Sequence, residues 1–162
     1  MKKQMYLFLL ILSVVLISCG SANRGSGSSG DYAAMLERVQ DLEFQIENQW
    51  ANPVKYNRVN LMGNPNYIIF KQDSVDLFLP FFGERQFGGG YGSQGAIEYE
   101  GPLRDLRIEE RQDKERINVY FQGKKDSEIL DFQITVFPNG NTSTTVTSSQ
   151  RDQISYLGKV KK

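Results

Sequence analysis

The chain has 162 residues with 19 basic and 19 acidic side chains, no histidine and one cysteine. A balanced charge with no basic stripe excludes nucleic acid as a partner, and the lack of histidine and of a second cysteine excludes intrachain disulfides, imidazole–metal sites and imidazole-based catalytic triads. No motif implies a cofactor, and the length suits one domain with a core of its own.

Lys2 and Lys3 form a positive start and residues 5–17 an uncharged apolar run, the pattern of a secretion signal. The run is shorter than the roughly 20 residues a membrane-spanning helix needs. Leu16-Ile17-Ser18-Cys19 resembles the lipobox of bacterial lipoproteins: an aliphatic residue three before the cysteine, a small one just before it, then the cysteine that receives diacylglycerol. Residues 1–18 are therefore expected to be a lipoprotein signal peptide and Cys19 the lipidated residue. Two or more acyl chains hold a protein stably on a bilayer, each buried CH₂ adding about 0.8 kcal/mol.

Residues 19–30 hold Cys19 and a Gly/Ser-rich stretch expected to act as a flexible linker roughly 20 Å in reach. Gly20 stands where the best-known sorting rule has the aspartate of inner-membrane retention, so the outer membrane is expected. The lack of an acidic run after Cys19 favours its periplasmic face. Without Lys2 and Lys3, the mature chain of about 144 residues carries 17 basic and 19 acidic groups, a net charge of −2.

Residues 31–162 are expected to form the folded domain. Tyr32, Met35, Leu36 and Val39 have helical spacing, so one short helix is predicted over 31–40, capped by Ser29 or Asp31. From Asp41 the period becomes two: Leu42, Phe44 and Ile46 alternate with polar residues. Further strands are predicted over 56–62, 67–71, 74–79, 96–100, 103–110, 117–122, 129–137, 142–147 and 154–160. Turns are expected at Gln72-Asp73, Gly101-Pro102, residues 123–126 and residues 138–141, where Asn139-Gly140 suits a type I′ hairpin. Roughly ten short strands at spacings of 8–12 residues make the chain mainly β, a small antiparallel barrel or sandwich with one N-terminal helix. The predicted inward face carries Leu106, Ile108, Ile117, Val119, Phe121, Leu130, Phe132, Ile134 and Val136, with Asn118 among the outward residues. Residues 142–149, almost all Ser and Thr, read as an exposed edge.

Gly90-Tyr91-Gly92-Ser93-Gln94-Gly95 matches the dinucleotide fingerprint in spelling, but a strand pattern follows where the motif needs a helix N-terminus. The connection over 81–95 concentrates aromatics and glycines. Long loops on rigid scaffolds often carry function, so Arg85, Phe87 and Tyr91, with Glu84, are candidates for contact with a ligand or partner; the alternative is a lid folded over the core. Glu98 and Glu100 share a strand face and could supply a carboxylate pair for glycoside hydrolysis, although alternating charge on a solvated strand accounts for them as well. Asn141-Thr142-Ser143 matches the N-glycosylation signal, which usually carries no meaning in a bacterium.

Three stretches taken together, residues 67–83, residues 91–102, and residues 131–137 with 154–158, resemble the Bacteroidetes lipoprotein family DUF4251, whose pattern covers nearly the whole mature chain. The resemblance implies a periplasmic or outer-membrane lipoprotein and brings no catalytic residues. The expected function is a non-enzymatic envelope lipoprotein, held to the membrane through Cys19 and binding an envelope protein or glycan. The alternative is a carbohydrate-active hydrolase using Glu98 or Glu100 with a second acid. A third reading has the 142–149 edge adding to a partner sheet.

Overall fold

The computed structural model of the chain describes residues 28–86 and 95–161. The expected signal peptide, Cys19, most of the expected linker, Phe87, Tyr91 and the residues of the glycine motif up to Gln94 lie outside them.

The helix α1 spans Ser28–Gln40, so it begins at Ser28 and not at Asp31. Arg38 sits in its last turn, where a cation suits the negative end of the helix dipole. The chain then reverses at Leu42, whose φ of 52° is left-handed and which is held there by burial of its side chain. That turn delays the strand expected from Asp41.

Among the described residues ten strands follow: β1 Gln45–Pro53, β2 Val59–Asn60, β3 Tyr67–Lys71, β4 Ser74–Leu79, β5 Ile97–Pro102, β6 Arg104–Arg111, β7 Arg116–Lys125, β8 Glu128–Val136, β9 Asn141–Ser148 and β10 Ile154–Val160. They form one antiparallel sheet in the order β5-β4-β3-β1-β10-β9-β8-β7-β6, with β2 added on β1. The two ends of this path, β5 and β6, are consecutive pieces of one bent strand. Its first half pairs with β4 and its second with β7, so the sheet rolls into a nearly closed barrel.

The bend explains why Gly101-Pro102 is no turn. Both residues stay in β5, and the backbone swings instead at Asp105, with φ 50°, where the β6–β7 register shifts between Arg104 and Arg107. Leu103 N–H donates to Asp73 O at 2.9 Å and fixes the corner. The shift also alters which β6 side chains face inward: Leu106, expected in the core, is exposed and Ile108 is only partly buried.

The core follows the period-two alternation of β7 and β8: Ile117, Val119, Phe121, Leu130, Phe132, Ile134 and Val136 are all buried. Rings link the strands through it. Phe44 stacks on Phe70 at 4.4 Å, Phe70 meets Phe121 edge-on at 5.7 Å, and Phe121 stacks on Phe132 at 4.5 Å. Asn118, expected outside, is buried and accepts a hydrogen bond from Thr135 Oγ1 at 3.0 Å.

Strand β9 also departs from expectation. It lies between β8 and β10, and its Thr142, Thr144 and Val146 are buried, so it offers no edge for strand addition. Threonine is β-branched like valine and packs on an inner face when apolar strands flank it on both sides. The β8–β9 turn also differs from expectation. Only Gly140 has positive φ (77°), Gly140 N–H donates to Phe137 O at 2.9 Å, and Phe137 N–H donates to Asn141 O at 3.0 Å. Pro138 thus opens a type I turn that ends in a glycine bulge.

Candidate functional site

Arg85 lies at the end of the barrel where the 81–95 connection begins and returns. Its backbone bridges to Arg151, and its Nη2 lies 3.4 Å from Glu128 Oε2. Glu128 is held mainly by Arg151, through Nε to Oε1 at 2.7 Å and Nη2 to Oε2 at 2.9 Å, while Ser148 Oγ donates to Oε1 at 2.6 Å. Burial alone would raise the Glu128 pKa. The hydrogen bonds from Arg151 and Ser148, with the charges of Arg151 and Arg85, outweigh it and hold the carboxyl below its ordinary range. Arg151 Nη1 also donates to the carbonyls of Gly95 and Ala96 at 3.2 Å each. One arginine therefore ties the returning chain to the barrel, and Arg85 points to the same buried carboxylate.

Glu98 and Glu100 sit on the outer face of β5, opposite Phe78 and Asp76. With Tyr67, Lys124 and Lys125 they line a depression of about 480 Å³. Glycosidases shield one carboxyl behind apolar groups so that it can carry a proton. Here both glutamates are exposed, Glu98 pairs with Lys125 at 3.4 Å, and Asp76 lies 3.8 Å from Lys71. Burial and then the charge of Asp76 push the Tyr67 hydroxyl pKa up, which keeps that group a proton donor.

A larger concavity lies elsewhere among the described residues, and a bulge in β1 builds it. The β1–β10 register slips between Asn48 and Trp50, which leaves Gln49 as the extra residue, and Leu61 N–H donates to Gln49 O at 2.9 Å. Asn66 clamps the bulge: its Oδ1 accepts Asn48 N–H at 2.6 Å and its Nδ2 donates to Asn48 O at 3.0 Å. Across from Asn48 stands Gly158, where a Cβ would come within 2.5 Å of Glu47 O.

The slip places Trp50, the only tryptophan of the chain, opposite Leu157 on the outer face. The Arg58 guanidinium lies over the indole, 4.2 Å from its centroid. Phe137, Pro138, Asn139 and Asn141 approach from the β8–β9 turn, and Lys114 and Glu115 from the β6–β7 tip, enclosing about 720 Å³ with Gln49. That volume falls within the roughly 300–1,000 Å³ of small-molecule sites. Sequence reasoning missed this groove because nothing local marks a bulge; a solitary tryptophan in a strand with an arginine shortly after it was the available signal.

The family model described as a domain of unknown function (DUF4251) matches residues 28–160. A crystal structure of a DUF4251 family protein from Bacteroides eggerthii DSM 20697 superposes with a TM-score of 0.63 at 14% identity, covering 83% of this chain and 89% of that one, which establishes likeness of fold. Among curated proteins nothing matches.

Proposed function

Since the chain belongs to the DUF4251 family, whose function is unknown, we propose its role from its own residues: it is a non-catalytic binding module of the cell envelope, holding its ligand in the groove around Trp50. The observation that carries this reading is the convergence of five separate segments on one groove containing an indole, amide side chains and cations. Such a surface can orient a ligand, but it presents no pair of facing carboxylates and no activated nucleophile. Lipid on Cys19 tethers the module to the outer membrane at its periplasmic face, and its partners are envelope glycans or proteins.

Incubation of the mature protein with isolated envelope glycans should leave glycan bound with no new reducing ends, and Trp50→Ala should abolish retention. New reducing ends that disappear with Glu98→Gln would replace this reading with the hydrolase. For the tether, Cys19→Ser should move the protein from the membrane to the soluble fraction; a variant that stays membrane-bound would refute lipidation there.

A further inference from the structure

We infer that the Trp50 groove selects an acidic saccharide, one whose ring carries a carboxylate; this rests on the binding-module reading and names its ligand class. The argument starts from the chemistry of the lining. A pyranose ring has C–H faces that need an apolar or aromatic wall and hydroxyl edges that need groups able both to donate and to accept. Trp50 and Leu157, side by side on the outer face of β1 and β10, supply the wall. Gln49, Asn139 and Asn141, from the β1 bulge and the β8–β9 turn, supply amides that donate and accept at once. The Asn139 oxygen already accepts Asn141 N–H at 3.0 Å, a bond that fixes the turn forming one rim.

Charge then separates an acidic sugar from a neutral one. Arg58 reaches the groove from the segment before β2 and Lys114 from the β6–β7 tip, so two cations from unrelated parts of the chain line the same space as one carboxylate, Glu115. A guanidinium donates only neutral-acceptor hydrogen bonds to the hydroxyls of a neutral sugar, whereas a carboxylate on the ring matches both its charge and its planar fork. The contact with the indole holds Arg58 at the groove, over one face of Trp50, which lowers the entropy lost when a carboxylate binds.

Because Trp50 is the only tryptophan, its emission reports on this groove alone. The full mature protein is titrated with trigalacturonate and, in parallel, with the neutral galactose trisaccharide. The acidic trisaccharide should shift the emission saturably. The neutral one should bind at least about tenfold more weakly, the scale of one charge-assisted hydrogen bond. Arg58→Gln and Lys114→Gln, both at exposed positions, should each weaken the acidic trisaccharide by about the same factor without moving the melting temperature. Equal binding of the two trisaccharides, insensitive to both substitutions, would overturn the acidic preference and leave the binding module standing. Failure of trigalacturonate to bind would overturn the inference as well, while retention of envelope glycans through Trp50 would still decide the broader reading.

Discussion

Arg151 grips Glu128 with two parallel N–H···O bonds inside the barrel end, both side chains almost wholly removed from water at 7% and 5% exposure. Desolvating both charges offsets most of their attraction, yet breaking the pair leaves the buried Glu128 carboxylate with only the Ser148 hydroxyl and the longer Arg85 contact at 3.4 Å. Arg151→Met should therefore destabilise the protein in urea unfolding, by less than the roughly 3–5 kcal/mol of a wholly uncompensated buried charge because Arg85 remains. Replacing both partners, Glu128→Leu with Arg151→Met, should recover most of that loss. A single substitution as mild as the double one would show that the pair is solvated and not buried.

The same carboxylate sets a direction for acid sensitivity. The folded-state pKa of Glu128 lies below its ordinary value of 4.5, so its stabilising effect is fully present above that value and is lost as pH falls through the folded-state value. Asp152 lies at the same end. Its pKa is lowered first by the Glu84 backbone N–H, then by Lys55, so it acts in the same sense. The difference in stability between wild type and Glu128→Gln should be constant near neutrality and narrow as acid is added below about pH 4.5. Chemical unfolding at a series of pH values measures it; a difference that widens in acid would reverse the sign argued here.

How far the sequence revealed this molecule depends on the range of the forces concerned. Strands β7 and β8 were legible because Ile117, Val119, Phe121, Leu130 and Phe132 alternate strictly, and alternation is a local consequence of the pleat. Strand β9 was misjudged because a threonine's place inside or outside is decided by its neighbours, Ile134 and Tyr156 beside Thr144. Gly101-Pro102 reads as a turn in any local window, and only the closing of β5 and β6 on β4 and β7 shows it to be a corner. The site residues suffered most. Arg85 reads as an outward cation until Glu128, 43 positions later, is brought beneath it, and the Trp50 groove rests on a bulge stabilised by Asn66 and Gly158, neither of which has a signature in the sequence.

Thr144 offers a test in the stabilising direction. Its side chain is fully buried, and its Oγ1 has no hydrogen-bond partner among the described residues. A buried hydroxyl without a partner costs about 1–3 kcal/mol by mutational measures, and an apolar group of the same shape removes that cost. Thr144→Val should accordingly raise the melting temperature, with a gain of about 1 kcal/mol. A loss of stability would mean that the hydroxyl is satisfied in solution, as by an internal water.

Gly158→Ala tests the link between the bulge and the groove. The added Cβ would lie 2.5 Å from Glu47 O and 2.8 Å from Asn48 Cα, and these are backbone atoms that no rotamer change can move aside. Either β1 shifts away from β10 or the bulge is lost, and overpacking of this kind typically costs about 1–3 kcal/mol. Because the slip in register at Asn48 is what places Trp50 beside Leu157, relief of the clash should also disturb the indole and its contact with Arg58. The substitution should lower stability and shift Trp50 emission together, although residue 158 itself is buried. Thr144→Val, two register positions away on the same inner face, should change stability without moving that emission. If Gly158→Ala destabilised the barrel and left the emission unchanged, the bulge would not be what shapes the groove.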